Sequence, residues 1–175
     1  MIRLSHRLGK RMNPAKLPAI GGLALFAFCA PAQAQSHSHG YLVVAPAVVS
    51  SSGENDAGLQ AGVGGEGVFP GGIIGLGAEI GALSLRGIAG SVVGMASANG
   101  YFHIPRPLSS FDPFLTAGYS TVIDVFNSTN LFNIGGGTNW WFAPHLGLKL
   151  EFRDHLRSGN ETSNIATFRF GLAFH

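Results

Sequence analysis

The hydrophobic positions of this chain recur every second residue, in segments of about ten separated by turn-forming residues, the signature of β-strands with two unlike faces. His145–Leu156 is the clearest case. Leu146, Leu148, Leu150 and Phe152 fall on one face, and Gly147, Lys149, Glu151 and Arg153 fall on the other. Side chains alternate across a strand, so one face is wholly apolar and the other largely charged. Ala166, Phe168, Phe170, Leu172 and Phe174 oppose Thr167, Arg169, Gly171, Ala173 and His175 in the same way. In Ile74–Ala82, the residues Leu76, Ala78, Ile80 and Ala82 oppose Gly75, Gly77, Glu79 and Gly81. Less regular strands are expected over Tyr41–Ser50, Leu59–Phe69, Ser91–Ile104, Pro113–Ile123 and Leu131–Phe142, for a total of about eight.

The choice of face decides the surroundings. A water-soluble barrel turns its apolar face inward and its charged face outward. Here the second face is mostly glycine and alanine with isolated charges, which suits a crowded lumen and not a solvated surface. Charged residues make up 11% of the chain, against about 25% in a typical globular protein. The pattern therefore predicts an all-β, closed antiparallel transmembrane barrel whose Leu/Phe faces meet lipid. Tyr41, Phe69, Tyr101, Phe111, Trp141, Phe142 and Phe174 lie near strand ends, where interfacial aromatic girdles are expected. With both termini on the periplasmic side, Pro70-Gly71-Gly72 and Ala143-Pro144 are the short inner turns. Ser50–Gly58, Asp124–Asn130 and Asp154–Ser163 are the polar outer loops, and Pro105–Asp112 is long for an inner turn.

Residues 1–34 read as a cleaved signal peptide: a basic start, an apolar run from about Leu17 to Cys29, and Ala32-Gln33-Ala34 as the cleavage motif. The cut falls between Ala34 and Gln35, and either Met1 or Met12 can be the start. The apolar run is shorter than the roughly 18 residues that span a bilayer. Phe28 is too bulky for Cys29 to be an acylated lipoprotein cysteine, so the mature chain has no cysteine and no disulfide framework. Removing the leader leaves six Lys/Arg against nine Asp/Glu, turning a formal +2 into −3. The basic character belongs to the leader, and no nucleic-acid-binding patch remains. Residues 35–39 form a flexible periplasmic lead-in, and 40–175 form the barrel.

Pro113-Phe114-Leu115-Thr116-Ala117-Gly118-Tyr119 resembles the strand that opens on Pro-Phe and closes on Gly-Tyr in the outer-membrane β-barrel domain family, relatives of the small OmpA/OmpX-type barrels. Asn133-Ile134-Gly135-Gly136-Gly137, Trp140-Trp141 and Gly147–Asp154 resemble it too. The resemblance covers Gly40 to His175 and is strongest after Asp112. It implies a Gram-negative outer-membrane barrel without a cofactor, and its motifs bear on fold far more than on role. The strand carrying Phe170, Leu172 and Phe174 is similar to the signal read by the barrel-assembly machinery, although His175 follows the final aromatic. Outer-membrane lipid and lipopolysaccharide are the other implied partners, with the protein a monomer.

Glu66, Glu79, Lys149, Glu151, Arg153 and Arg169 are the inward charges, and ions in a narrow lumen must pair. The expectation is one network filling the barrel, centred on Glu151, in a non-catalytic protein with a structural or surface-interaction role. A narrow porin-like channel gated by exchange of these pairs is one alternative. A lipopolysaccharide-modifying hydrolase is another, from His155, Ser158 and Glu161 in the last outer loop, since a Ser-His-acid set is recognised by geometry. His37 and His39 are too few for a defined metal site. The glycines of Gly62–Gly67 and Gly135–Gly137 lack the context of a phosphate loop.

Overall fold

A computed structural model describes residues 38–51, 54–86, 92–105, 110–124, 127–157 and 163–175. The signal peptide, its Ala34–Gln35 cleavage point, Cys29, His37, Ser158 and Glu161 lie outside the described residues. Eight strands form: β1 (His39–Ser51), β2 (Glu54–Val68), β3 (Ile74–Leu85), β4 (Val92–His103), β5 (Phe111–Ile123), β6 (Ser128–Ala143), β7 (Leu146–Arg157) and β8 (Ser163–Phe174). Each pairs antiparallel with its sequence neighbours, and β8 pairs with β1 to close the barrel. Closure satisfies the backbone of every strand without leaving a sheet edge, which a strand structure in lipid requires.

The β1–β8 seam runs in one register from Gly40↔Phe174 to Ser51↔Ser163, with pairing interrupted at Ala45 and Pro46. Pro46 has no N–H to donate, which accounts for the gap. Between β2 and β3, Phe69 N–H donates to the Ile74 carbonyl (2.8 Å) around Pro70-Gly71-Gly72. Gly71 and Gly72 there have φ of 100° and 70°, a backbone that glycine adopts without strain. Ala143-Pro144 leads as expected into the β6–β7 turn, and a register shift between Trp141 and Ala143 adjusts the strand just before it.

The strands reach further than the hydrophobic pattern indicated. Ser51 pairs with Glu54, Ile123 with Ser128, and β7 continues to Arg157. Most of Ser50–Gly58, expected as a loop, is therefore strand, as are Ser128–Asn130 of the expected Asp124–Asn130 loop. Ladder pairing uses only backbone groups, so a hairpin can continue past the apolar band into water with polar side chains. β1 also begins at His39, inside the expected lead-in, and its side chain is buried.

The apolar faces point outward. Leu42, Leu59, Ile80, Leu115, Ile134, Phe152, Phe168 and Leu172 are exposed on the outer wall, Ile80 by 65%. Phe69, Phe111, Phe142 and Phe174 also face outward, as girdle residues would, and Phe111 stacks on Trp140 with ring centroids 5.9 Å apart. Tyr41 and Tyr101 depart from that expectation: both are buried in the lumen. Trp141 likewise packs inward, against the Tyr41–Val43–Ala173 cluster. Their parity places them opposite the outward residues Leu42, Phe102 and Trp140, and parity overrides nearness to a strand end.

Candidate functional site in the barrel interior

Alternation along β7 aims Lys149, Glu151, Arg153 and His155 into the lumen, all at 1% exposure or less. Register brings Arg169 of β8 directly opposite Glu151. Glu79 enters from β3, three strands away from β8 in the barrel order, and meets both arginines.

Glu151 is the hub. Its Oε1 accepts hydrogen bonds from Nε and Nη2 of Arg153, both at 2.5 Å. Its Oε2 faces Arg169 Nε at 3.6 Å and Lys149 Nζ at 3.9 Å. Arg169 Nη2 donates to Glu79 Oε2, which also lies 3.8 Å from Arg153 Nη1. The result is a ring of alternating charge, Glu79–Arg169–Glu151–Arg153–Glu79, with Lys149 on its flank. Pairing of this kind is what makes burial of ions tolerable, because each isolated charge would bear a desolvation cost of several kcal/mol.

Three cations here face two carboxylates, and aromatic rings take up the difference. Lys149 Nζ stands 4.0 Å from the Phe114 ring centre and 4.8 Å from that of Tyr41. A ring face attracts a cation through its quadrupole, more strongly when water is excluded. Lys149 also donates to Asn139 Oδ1 at 3.5 Å. Tyr41 and Tyr101 meet hydroxyl to hydroxyl at 3.2 Å, and Arg153 Nη2 donates to Tyr101 at 3.4 Å. Glycine makes room for these rings: a Cβ on Gly64 would stand 2.6 Å from the Tyr41 ring. The small residues of the inner face thus accommodate the large ones.

Glu66 does not join this ring. It lies toward the end of the barrel that carries the strand termini, where Oε1 meets His103 Nε2 at 2.5 Å and Oε2 lies 3.6 Å from His39 Nε2. His103 Nδ1 lies 3.0 Å from Asp112 Oδ1. The six expected charges therefore divide into a group of five and a separate Glu66 cluster. Sequence reading missed His39, His103 and Asp112 in that cluster. The parity of β4 carried the signal for His103, which shares a face with Tyr101, Asn99 and Ser97.

Towards the opposite end, buried polar side chains join buried apolar ones such as Leu83, Met95 and Leu131. Ser97 and Ser120 meet at 2.7 Å, Asn133 Nδ2 donates to Ser120 Oγ at 2.8 Å, and His155 Nδ1 lies 3.0 Å from the same oxygen. This corrects the placement of His155 in an outer loop: it lies on β7, faces inward and is buried. Among the described residues, no group of three or more His, Cys, Asp or Glu side chains is arranged to hold a metal ion.

No family model matches the chain, and no curated protein matches it. Solved structures do resemble it. Neisserial surface protein A superposes with a TM-score of 0.67 at 12% identity, covering 78% of this chain and 96% of that one. The N-terminal barrel of Pseudomonas aeruginosa OprF gives 0.48 at 14% identity, covering 77% and 97%. Ail, the attachment invasion locus protein of Yersinia pestis, gives 0.49 at 12% identity, covering 78% and 96%. The fold is that of the small eight-stranded outer-membrane barrels. An apolar outer wall around a charged interior gives such a barrel its place in the cell outer membrane.

Proposed function

We propose that the protein is a non-conducting, non-catalytic barrel with a structural or surface-interaction role in the outer membrane. The observation that carries this reading is the filled mid-lumen. Tyr41, Glu79, Tyr101, Phe114, Lys149, Glu151, Arg153 and Arg169 form one cross-section, each no more than 4% exposed. Ions locked in such a cluster rigidify the barrel and deny water a continuous path. Lipid and lipopolysaccharide contact the Leu/Phe wall, and the protein acts as a monomer with its termini toward the periplasm. Phe170, Leu172 and Phe174 project outward from β8, accessible to the assembly machinery during insertion.

A second reading, a narrow solute channel, draws support from Arg153, which lies within 4 Å of both Glu151 and Glu79 and could exchange one for the other. Planar-bilayer recording separates the two. The proposal expects no steady conductance from the wild-type barrel. Discrete channels whose size or selectivity changes in Glu151→Gln would establish the channel instead. Against the hydrolase reading speaks the burial of His155 on β7, beside Ser120 inside the barrel.

A further inference from the structure

The second charged cluster has a chemistry that the central ring lacks. Both ring nitrogens of His103 face carboxylate oxygens, Nε2 toward Glu66 at 2.5 Å and Nδ1 toward Asp112 at 3.0 Å. Ionised carboxylates only accept hydrogen bonds, and a neutral imidazole has one N–H to give. Two short contacts to two carboxylates are satisfied together when the ring carries both protons. The imidazole is 2% exposed and the Glu66 carboxylate is fully buried, so bulk water cannot readily replace a donor that Glu66 loses.

The contacts also span strands. Glu66 is on β2, His103 on β4 and Asp112 on β5, so the ring ties together half of the eight-stranded wall, from β2 to β5 across β3. Gly75 of β3 leaves the space that the Glu66 carboxylate occupies. Among the described residues, the other titratable groups facing the cluster include His39 of β1, 3.6 Å from Glu66, and Lys149 of β7 and Tyr101 of β4, which interact with Glu66 electrostatically. Asn139 of β6 donates to Asp112 Oδ2 at 3.5 Å, and the Phe114 ring packs beside His103 at 6.2 Å. A cavity of about 260 Å³ opens beside His103 and Asp112 at this end of the barrel, giving protons a way in.

We propose that His103, as a doubly protonated imidazolium, is a pH-released latch that fastens β2, β4 and β5 at the terminal end of the barrel. Loss of one proton leaves the ring a single donor for two carboxylates, so one of the two contacts that join β4 to β2 and β5 is given up. The latch is therefore complete in mild acid and opens as pH rises through the titration of the ring in the folded barrel. Its loosening would affect the mouth near the cavity first and leave the Glu151 ring intact.

The direct test is imidazole proton–nitrogen correlation NMR on the full chain, folded in detergent micelles with labelled histidine. His103→Gln serves to assign the signal. The expected result at about pH 6 is a ring protonated at both nitrogens. On raising the pH it loses one proton in a step that coincides with a fall in the urea midpoint. That fall should be absent in His103→Gln and retained in His145→Gln, an exposed histidine outside the latch. A neutral His103 ring in mild acid, with the proton on a carboxylate, would overturn the proposal. So would an equal fall of the midpoint in His103→Gln. If that variant does not fold, the His103 signal is assigned by removing the other histidines in turn, and the protonation state read from the wild-type spectrum then decides.

Discussion

At the residue scale, the interior is governed by the cost of burying ions. Glu151 is the single carboxylate in contact with all three central cations. Glu151→Gln keeps the shape and removes the charge, leaving Arg153 and Arg169 to share Glu79 and Lys149 with its electrostatic link to Glu66. Breaking a buried ion pair by neutralising one partner costs about 3–5 kcal/mol. A loss of that size is expected in urea-unfolding equilibria of the barrel in lipid vesicles, and a change below about 1 kcal/mol, the range of exposed pairs, would mean that water reaches the cluster. Parity alone made the inward side of Glu79, Lys149, Glu151, Arg153 and Arg169 legible, because period 2 assigns a face without any knowledge of neighbours. Depth was not legible. Glu66 parts from the others because the stagger between strands places it beside His39 and His103, and stagger is a property of pairs of strands.

At the element scale, all eight strands were visible as alternating segments, and their cores fall where the pattern put them. Their ends were not visible, for the physical reason that pairing outlasts the hydrophobic band: Glu54–Ala57 of β2 is exposed on both faces and still pairs with Val48–Ser51. The same cause hid the inward turn of His155, which polar neighbours made look like a loop residue. The element-level claim open to test is which face meets lipid. Ile80 sits midway along β3 and is among the most exposed apolar residues of the wall. Ile80→Arg should destabilise the barrel in vesicles by about 2–4 kcal/mol, the cost of a charge at the bilayer midplane. A neutral or favourable effect would mean that this wall faces water.

At the scale of the whole molecule, closure, outer wall and filled lumen belong to one design. Pairing of β8 with β1 removes the edges, the Leu/Phe wall suits hydrocarbon, and the charge ring occupies space too narrow for bulk water. The sequence carried the first two, through strand number and face composition. Of the third it carried the expectation of a paired network around Glu151 but not the aromatic partners or the depth, because filling depends on side chains from β1, β3, β4, β5, β7 and β8 meeting at one level. The central claim, a closed barrel that lives in a membrane, is tested most directly by electrophoretic heat-modifiability. The protein is folded in detergent, and boiled and unboiled samples are run on one gel. The account predicts different mobilities, with β-type circular dichroism before boiling. Identical mobilities, together with solubility of the folded protein in plain buffer, would contradict it.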